Sequence, residues 1–301
     1  MNTVHTRIFP GATRATCLNC GLLRWCLPAC LNPQERERFD HFVEHQRPIK
    51  RGGYLHRAGS SFKSLYAIHN GFLKTSITDD NGREQVGGFH MTSELTGMDA
   101  ISSGKHLCDA VALEDSSVCG ISFADLERLN REISSLQHHF HCVMSSEIVR
   151  EHGIMFLLGS TQAEERLAIF LLNLSKRYAA CGYSATRFRL RMTREDIGSY
   201  LGLKLETVSR MFSQFQRDQL IAVQNKEIEI KSLHGLRQLI GNGQMPRTSR
   251  DMRTIGNKEN GGRLHSLTSI DPQAPVTPDG DPTGSLANPV TGNPGFAADP
   301  A

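Results

Sequence analysis

No stretch of the 301-residue sequence approaches the roughly 18 uninterrupted apolar residues of a membrane span. The N-terminal "MNTVHTRIFPGATRATC" scatters its charges and has no apolar core of signal-peptide length. The expectation is a cytoplasmic protein with no membrane partner, whose thiols stay reduced. A Rossmann glycine pattern, a flavin signature and hydrolytic-triad spacing are also missing, so nothing points to an enzyme. Proline is scarce through most of the chain: eight of the 12 prolines fall in residues 241–301, in runs such as "DPQAPVTPDGDPTG". That segment has too little apolar surface to offset its ordering entropy, and a disordered tail is expected there.

The formal net charge of +3 is unevenly spread. Residues 1–186 hold 19 Lys/Arg against 19 Asp/Glu, residues 187–240 ten against six, and residues 241–301 five against six. The positive excess therefore sits in one short region, the modest footprint of a polyanion-binding segment.

Cysteine is concentrated where the rest of the chain is plain. Four of the eight cysteines, Cys17, Cys20, Cys26 and Cys30, lie within fourteen residues. In a reducing compartment such a cluster holds metal or does redox chemistry. A thiol redox protein is the rival from another class. Cys17, Cys20, Cys26 and Cys30 also make a plausible four-thiolate zinc site, and four thiolates suit zinc and iron–sulfur centres alike.

From about Pro48 to Phe123 the pattern is short strands broken by turns, which predicts a small antiparallel barrel or roll. Alternating runs flank Asn70-Gly71, and Asn81-Gly82 follows, each a hairpin signal. The period then changes. Ile133, Leu136, Phe140, Met144, Ile148, Met155 and Leu158 recur at helical spacing and predict one apolar stripe on a long helix. The stripe suits a helix packed on its own barrel or, being this long, a dimer seam in which Glu151 is a weak point among apolar neighbours such as Ile148 and Met144.

"MTREDIGSYLGLKLETVSRMFSQFQRDQLI" reads as two short helices joined by a glycine turn. Thr193 and Asp196 form a capping-box pattern at the start of the first. Ile197, Tyr200 and Leu201 give it one face, and Gly202 supplies the turn. Leu205, Val208, Met211, Phe212 and Phe215 are expected to point inward from the second helix. Glu206, Ser209 and Arg210, at i, i+3 and i+4, then share an outward face. Arg can bond guanine O6 and N7 together, Glu can accept from cytosine N4, and Ser can serve either, while Lys204 suits the phosphate backbone. "LIAVQNKEIEIKS" completes the picture as a β-wing. The local reading is a winged helix-turn-helix that binds double-stranded DNA.

The order of cysteine cluster, roll, long helix and "LGLKLETVSR" resembles the CRP/FNR superfamily of bacterial transcription factors, in its oxygen-responsive FNR branch. The resemblance covers roughly residues 14–240 and includes "KSLYAI", "GFH", "AEERLAIFLLNLS", "FRLRMTREDIG" and "YLGLKLETVSR". It implies an α+β chain with a cysteine-rich arm (1–32), an antiparallel, cyclic-nucleotide-binding-like β-roll (33–130), a dimerisation helix (131–160), a winged helix-turn-helix (161–240) and the tail (241–301). It implies a [4Fe–4S] cluster. The family spacing Cys-x2-Cys-x5-Cys falls on Cys17, Cys20 and Cys26, and its distant fourth ligand falls on Cys119 in "SVCGISF". Sequence alone does not choose Cys119 over the nearer Cys30. Cys30, Cys108, Cys142 and Cys181 are expected to be bystanders, the last two as small buried hydrophobes.

The resemblance also implies a homodimer on a palindrome with TTGAT-like half-sites, and contacts to RNA polymerase from a loop such as Thr78–Arg83. Cyclic nucleotide is not expected as a ligand. "SELTGMDAISSGKHLCDAVAL" stands where related receptors carry an Arg-Ser pair, and it has no arginine to grip a cyclic phosphate.

Overall fold

A computed structural model describes residues 16–240 of the chain. The expected disordered tail, 241–301, and residues 1–15 of the arm lie outside the described residues. The described arm forms two short 3-10 turns, Leu23–Trp25 and Leu27–Cys30. Helix α1 (Pro33–Asp40) follows, started by a capping box: Asn32 accepts from the Glu35 N–H, and the Glu35 carboxylate accepts from the Asn32 N–H.

Strands β1 (Val43–Ile49), β2 (Tyr54–His56), β3 (Ser64–Asn70), β4 (Phe72–Thr78), β5 (Glu84–Met91), β6 (Leu95–Thr96), β7 (Asp109–Ala112) and β8 (Ser116–Ser122) form the roll. They make two antiparallel sheets ordered β1-β8-β3-β6 and β2-β7-β4-β5. Ile49, Leu55, Ile68, Leu73, Ala110, Ala112 and Val118 fill the interior between them.

One expected hairpin is absent. Asn70-Gly71 joins β3 to β4, but these strands lie in different sheets and do not pair. Gly71 is instead where the chain crosses over. Its φ is +101°, and a Cβ there would meet Ser116 Oγ at 2.1 Å, so only glycine fits. The second Asn-Gly does close a hairpin, between β4 and β5. Asp79 Oδ1 accepts there from the Asn81 and Arg83 N–H groups.

Helix α2 (Phe123–Glu132) leads into α3 (Ser134–Ser160), and then α4 (Ala163–Ala180). The expected single stripe on α3 divides in two. Ile133, just ahead of α3, and Leu136 and Phe140 are buried in a core with Cys17, Leu27, Leu31, Phe39, Leu65 and Ala67. Ile148 and Met155, by contrast, are 54% and 61% exposed. The cause is length. Twenty-seven residues reach about 40 Å, so only the first turns pack beneath the arm.

The C-terminal elements are β9 (Arg187–Arg189), α5 (Arg194–Leu201), α6 (Leu205–Arg217), β10 (Ile221–Gln224), β11 (Glu227–Ile230) and α7 (Leu233–Leu239). The capping box on α5 forms as its sequence requires, with Asp196 N–H donating to Thr193 Oγ1 and Thr193 N–H to the Asp196 carboxylate. Gly202, at φ +62°, ends α5 in the left-handed region. Val208, Met211, Phe212 and Phe215 are buried, but Leu205 is 45% exposed, contrary to expectation. As the first residue of α6, it leans back over the turn instead of lying on the packed face. Strands β10 and β11 form the wing and are joined by β9.

Candidate metal centre and nucleic-acid interface

The side-chain alternation of β8 decides which sulfur the arm can meet. Val118 turns into the roll, so Cys119 must turn out, beside Ala67 of β3. The arm lies over that outward face. Cys17, Cys20 and Cys26 join Cys119 around one cavity of about 310 Å³, whose wall also includes Ala67, Leu27 and Phe39. Cys30 is exposed and is not among its lining residues. The structure therefore brings together the three arm cysteines and the distant one, and leaves out the nearer candidate.

None of these thiols is in a disulfide. Burial raises the Cys17 pKa, and the neighbouring Asp40, Cys26 and Cys119 push it the same way. Burial pushes Cys26 up to about 12, with Cys119 and Cys20 adding to the rise. Cys119 is raised by burial, partly offset by a backbone N–H of Gln46 aimed at its sulfur. That N–H arrives through a bulge in β1, where pairing with β8 shifts register and Gln46 takes a φ of +50°. Nothing in the sequence marked Gln46. Cysteines that raise one another's pKa are close neighbours, and as free thiols they stay protonated until a cation takes the charge.

The remaining thiols differ. Cys181 is buried as expected, but Cys142 is only half-buried, with its sulfur 3.6 Å from His138 Nε2. Cys108 lies across the roll, 3.5 Å from an Asp99 oxygen.

Helix α6 displays Glu206, Ser209 and Arg210 on an exposed face, with Lys204 exposed at its N-cap. The buried residues lie on the opposite side, so this face is free to enter a groove. Helix α5 is tied to the roll: Lys74 Nζ donates to Asp196 at 2.8 Å and also meets Glu84 at 2.8 Å.

On α3, Met144 is half-buried against the core beneath the arm, while Ile148, Glu151 and Met155 are exposed at steps of three and four residues. Behind them lies a charge cluster that the sequence reading missed. Glu94, from the loop after β5, pairs with Arg177 of α4 at 2.6 Å and faces Arg150 of α3 at 3.9 Å. Burial would raise the Glu94 pKa, but Arg177 and Arg150 outweigh it and bring it down to about 2. His90 beside them is fully buried, and that burial, reinforced by Arg150, lowers it to about 3. Roll, long helix and α4 thus meet at one set of charges.

Among the described residues, no helix is long and apolar enough to cross a membrane. Residues 46–132 match the cyclic nucleotide-binding domain model, and residues 165–239 match the Crp-like helix-turn-helix domain model. The chain is 43% identical over 235 residues to the fumarate and nitrate reduction regulatory protein of Escherichia coli, covering 78% of this chain and 94% of that protein. It is 45% identical over 217 residues to the transcriptional activator protein Anr of Pseudomonas protegens, covering 72% and 89%. The transcriptional regulatory protein btr of Bordetella pertussis is 44% identical over 227 residues, covering 75% and 94%. Among solved structures, FixK2 from Bradyrhizobium japonicum superposes with a TM-score of 0.61 at 26% identity, covering 66% of this chain and 98% of that one. With both domains matched in order and relatives similar along nearly their whole length, the chain belongs to the Crp/Fnr family of transcription regulators.

Proposed function

We propose that the protein is an oxygen-responsive regulator that binds palindromic DNA with TTGAT-like half-sites as a dimer and controls anaerobic gene expression. One observation carries this reading: Cys17, Cys20, Cys26 and Cys119 converge on one cavity, and Cys30 stays outside it. Those four residues would hold a [4Fe–4S] cluster, which when bound supplies an oxygen-labile link among their thiolates. Four soft sulfur donors fit that group. The local zinc alternative depends on Cys30, a cysteine that does not face the cavity.

The chain's own residues supply the rest. Cys119 sits on a strand and Cys17, Cys20 and Cys26 on the arm, so shared ligation pins arm to roll. The pinned arm packs Cys17, Leu27 and Leu31 against Leu136 and Phe140, which sets the base of α3. Further along, Ile148 and Met155 offer apolar surface to a second copy, and Glu151 opposes the pairing because two facing carboxylates repel. A dimer holds two α6 helices one DNA turn apart, over the two halves of a palindrome. Arg210 then reads guanine, Glu206 and Ser209 select neighbouring bases, and Lys204 meets phosphate.

In this reading residues 1–32 are the sensing arm, 33–130 the roll, 131–160 the pairing helix and 161–240 the DNA reader. RNA polymerase is met by the Thr78–Arg83 hairpin. The roll takes no cyclic nucleotide, since its 93–113 stretch has no arginine for a cyclic phosphate. The names of the Escherichia coli and Pseudomonas relatives, a fumarate and nitrate reduction regulator and a transcriptional activator, support the same reading.

The test is fluorescence anisotropy on a TTGAT-type palindrome with protein purified without air. Specific binding and dimer sedimentation should both be present, and both should vanish after air exposure. Binding indifferent to air would contradict the reading.

A further inference from the structure

We propose that His56, Asp99, His106 and Cys108 form a second metal site, distinct from the thiol cavity, for a divalent transition ion of the zinc type. The four residues come from β2, the turn after β6 and the segment leading into β7. One ligand atom from each of His56, Asp99 and His106 lies within 4.8 Å of the other two. His106 Nδ1 is 3.3 Å from Asp99 Oδ1, and Cys108 Sγ is 3.5 Å from Asp99 Oδ2. Ligands bound at about 2.0–2.3 Å around a tetrahedral ion lie roughly 3.3–3.8 Å apart, and both spacings fall in that range, His106 and Cys108 each approaching a different oxygen of Asp99.

The cluster also holds a lone pair with nothing to do. His56 and His106 are 8% and 4% exposed. His56 Nδ1 donates to the Cys108 carbonyl at 3.1 Å, which leaves Nε2 as the unprotonated nitrogen. That Nε2 is buried and has no hydrogen-bond partner. An orphaned buried acceptor is destabilising, and a metal ion would satisfy it. Hydrogen bonding fixes the tautomer in the way that positions a metal-ligating histidine.

Ligand softness selects the ion. Two imidazoles, one carboxylate and one thiol suit zinc or cobalt and do not suit calcium or magnesium, which take oxygen ligands. On binding, a coordinated ion would take the place of the Cys108 thiol proton. The two imidazoles now stack 3.6 Å apart and 11° from parallel, so binding turns one ring until both lone pairs converge. Entry is available from a cavity of about 470 Å³ lined by Asp99 and Cys108 on the roll, and by Glu147 and Glu151 on α3. The site thus opens beside the carboxylate proposed to weaken the dimer seam, and a bound cation would offset that charge.

The experiment uses the full chain carrying Cys17→Ser, Cys20→Ser and Cys26→Ser, so that neither the thiol cavity nor the Cys17–Asp40–His45 cluster beside it competes, and Co²⁺ alone as the probe. One cobalt per chain should bind, with visible d–d bands and a thiolate-to-cobalt charge-transfer band. Adding His106→Gln should abolish that equivalent, and adding Cys108→Ser should remove the charge-transfer band. A parent that binds no cobalt, or a spectrum unchanged by both substitutions, would overturn the site. Should His106→Gln fail to fold, Asp99→Asn decides the matter, since it keeps the side chain's shape. Zinc should raise the Tm of the parent and leave that of Asp99→Asn unmoved, and an equal rise in both would overturn the proposal.

Discussion

Val118 and Cys119, neighbours in β8, face opposite ways: the valine packs the interior of the roll, and the thiol opens onto the cavity beneath the arm. This one-residue alternation lets a residue about ninety positions beyond the arm join its cysteines. The packing around Cys119 should therefore matter as much as the sulfur. Ala67 pairs across the sheet with Cys119 and lines the same cavity. Ala67→Leu should crowd the space, lower iron content after anaerobic reconstitution and cost about 1–3 kcal/mol by overpacking. Iron analysis beside urea unfolding checks this, and full iron content in Ala67→Leu would count against a tight fit.

The face of α6 should divide its labour. Arg210→Ala should cost about 1–3 kcal/mol per half-site on the palindrome and little on random DNA, where phosphate contacts dominate. Glu206→Ala should relax selectivity at one base pair with little change in non-specific affinity. Lys204→Ala should weaken binding to every sequence and make the salt slope shallower. Titrations on single-base operator variants across salt concentrations separate these outcomes. Uniform weakening by Arg210→Ala would mean that this helix does not read bases.

Glu151 should set the strength of the seam. Glu151→Ala removes a charge from between exposed Ile148 and Met155, so the cluster-free protein should shift toward dimer in air. Analytical ultracentrifugation reports the shift directly. A wholly monomeric Glu151→Ala protein would take this residue out of the switch.

Acid should loosen the junction of roll, α3 and α4. His90 and Glu94 both have lowered pKa values, about 3 and about 2, against ordinary values of 6.5 and 4.5. In each case the unfolded chain takes up the proton first as pH falls. The stability they contribute is full above the ordinary values. The His90 share is lost from pH 6.5 down to about 3, and the Glu94 share from pH 4.5 down to about 2. His90→Gln should therefore flatten the stability profile between about pH 6 and pH 4.5, by up to about 1.4 kcal/mol per pH unit. Urea unfolding across that range would show it, and an unchanged slope would assign the acid sensitivity to another group.

Much of this was legible in the sequence wherever the signal was local. Thr193 and Asp196 announce the start of α5, Gly202 its end, and the buried face of α6 follows from spacing alone, apart from Leu205 at its tip. Long-range features left less trace. The Asn70-Gly71 pair carries the same local turn chemistry as Asn81-Gly82, and only the sheet order shows that one crosses between sheets while the other closes a hairpin. The α3 pattern could not show where helix leaves roll, because buried and outward apolar residues share one period. Residue spacing alone left Cys119 and Cys30 level, and only the alternation of β8 shows which of them faces the arm cavity, while the Glu94–Arg177 pair joins residues 83 positions apart.

Whether the four cysteines around one cavity hold the cluster is measured most directly by the iron and sulfide content, with the visible spectrum, of Cys30→Ala and Cys119→Ala proteins purified without air. Cys30→Ala should keep a brown protein with about four irons per chain, bleached by air, and Cys119→Ala should have neither colour nor iron. A Cys119→Ala protein that keeps its metal while Cys30→Ala loses it would move the site to the arm alone and contradict the account.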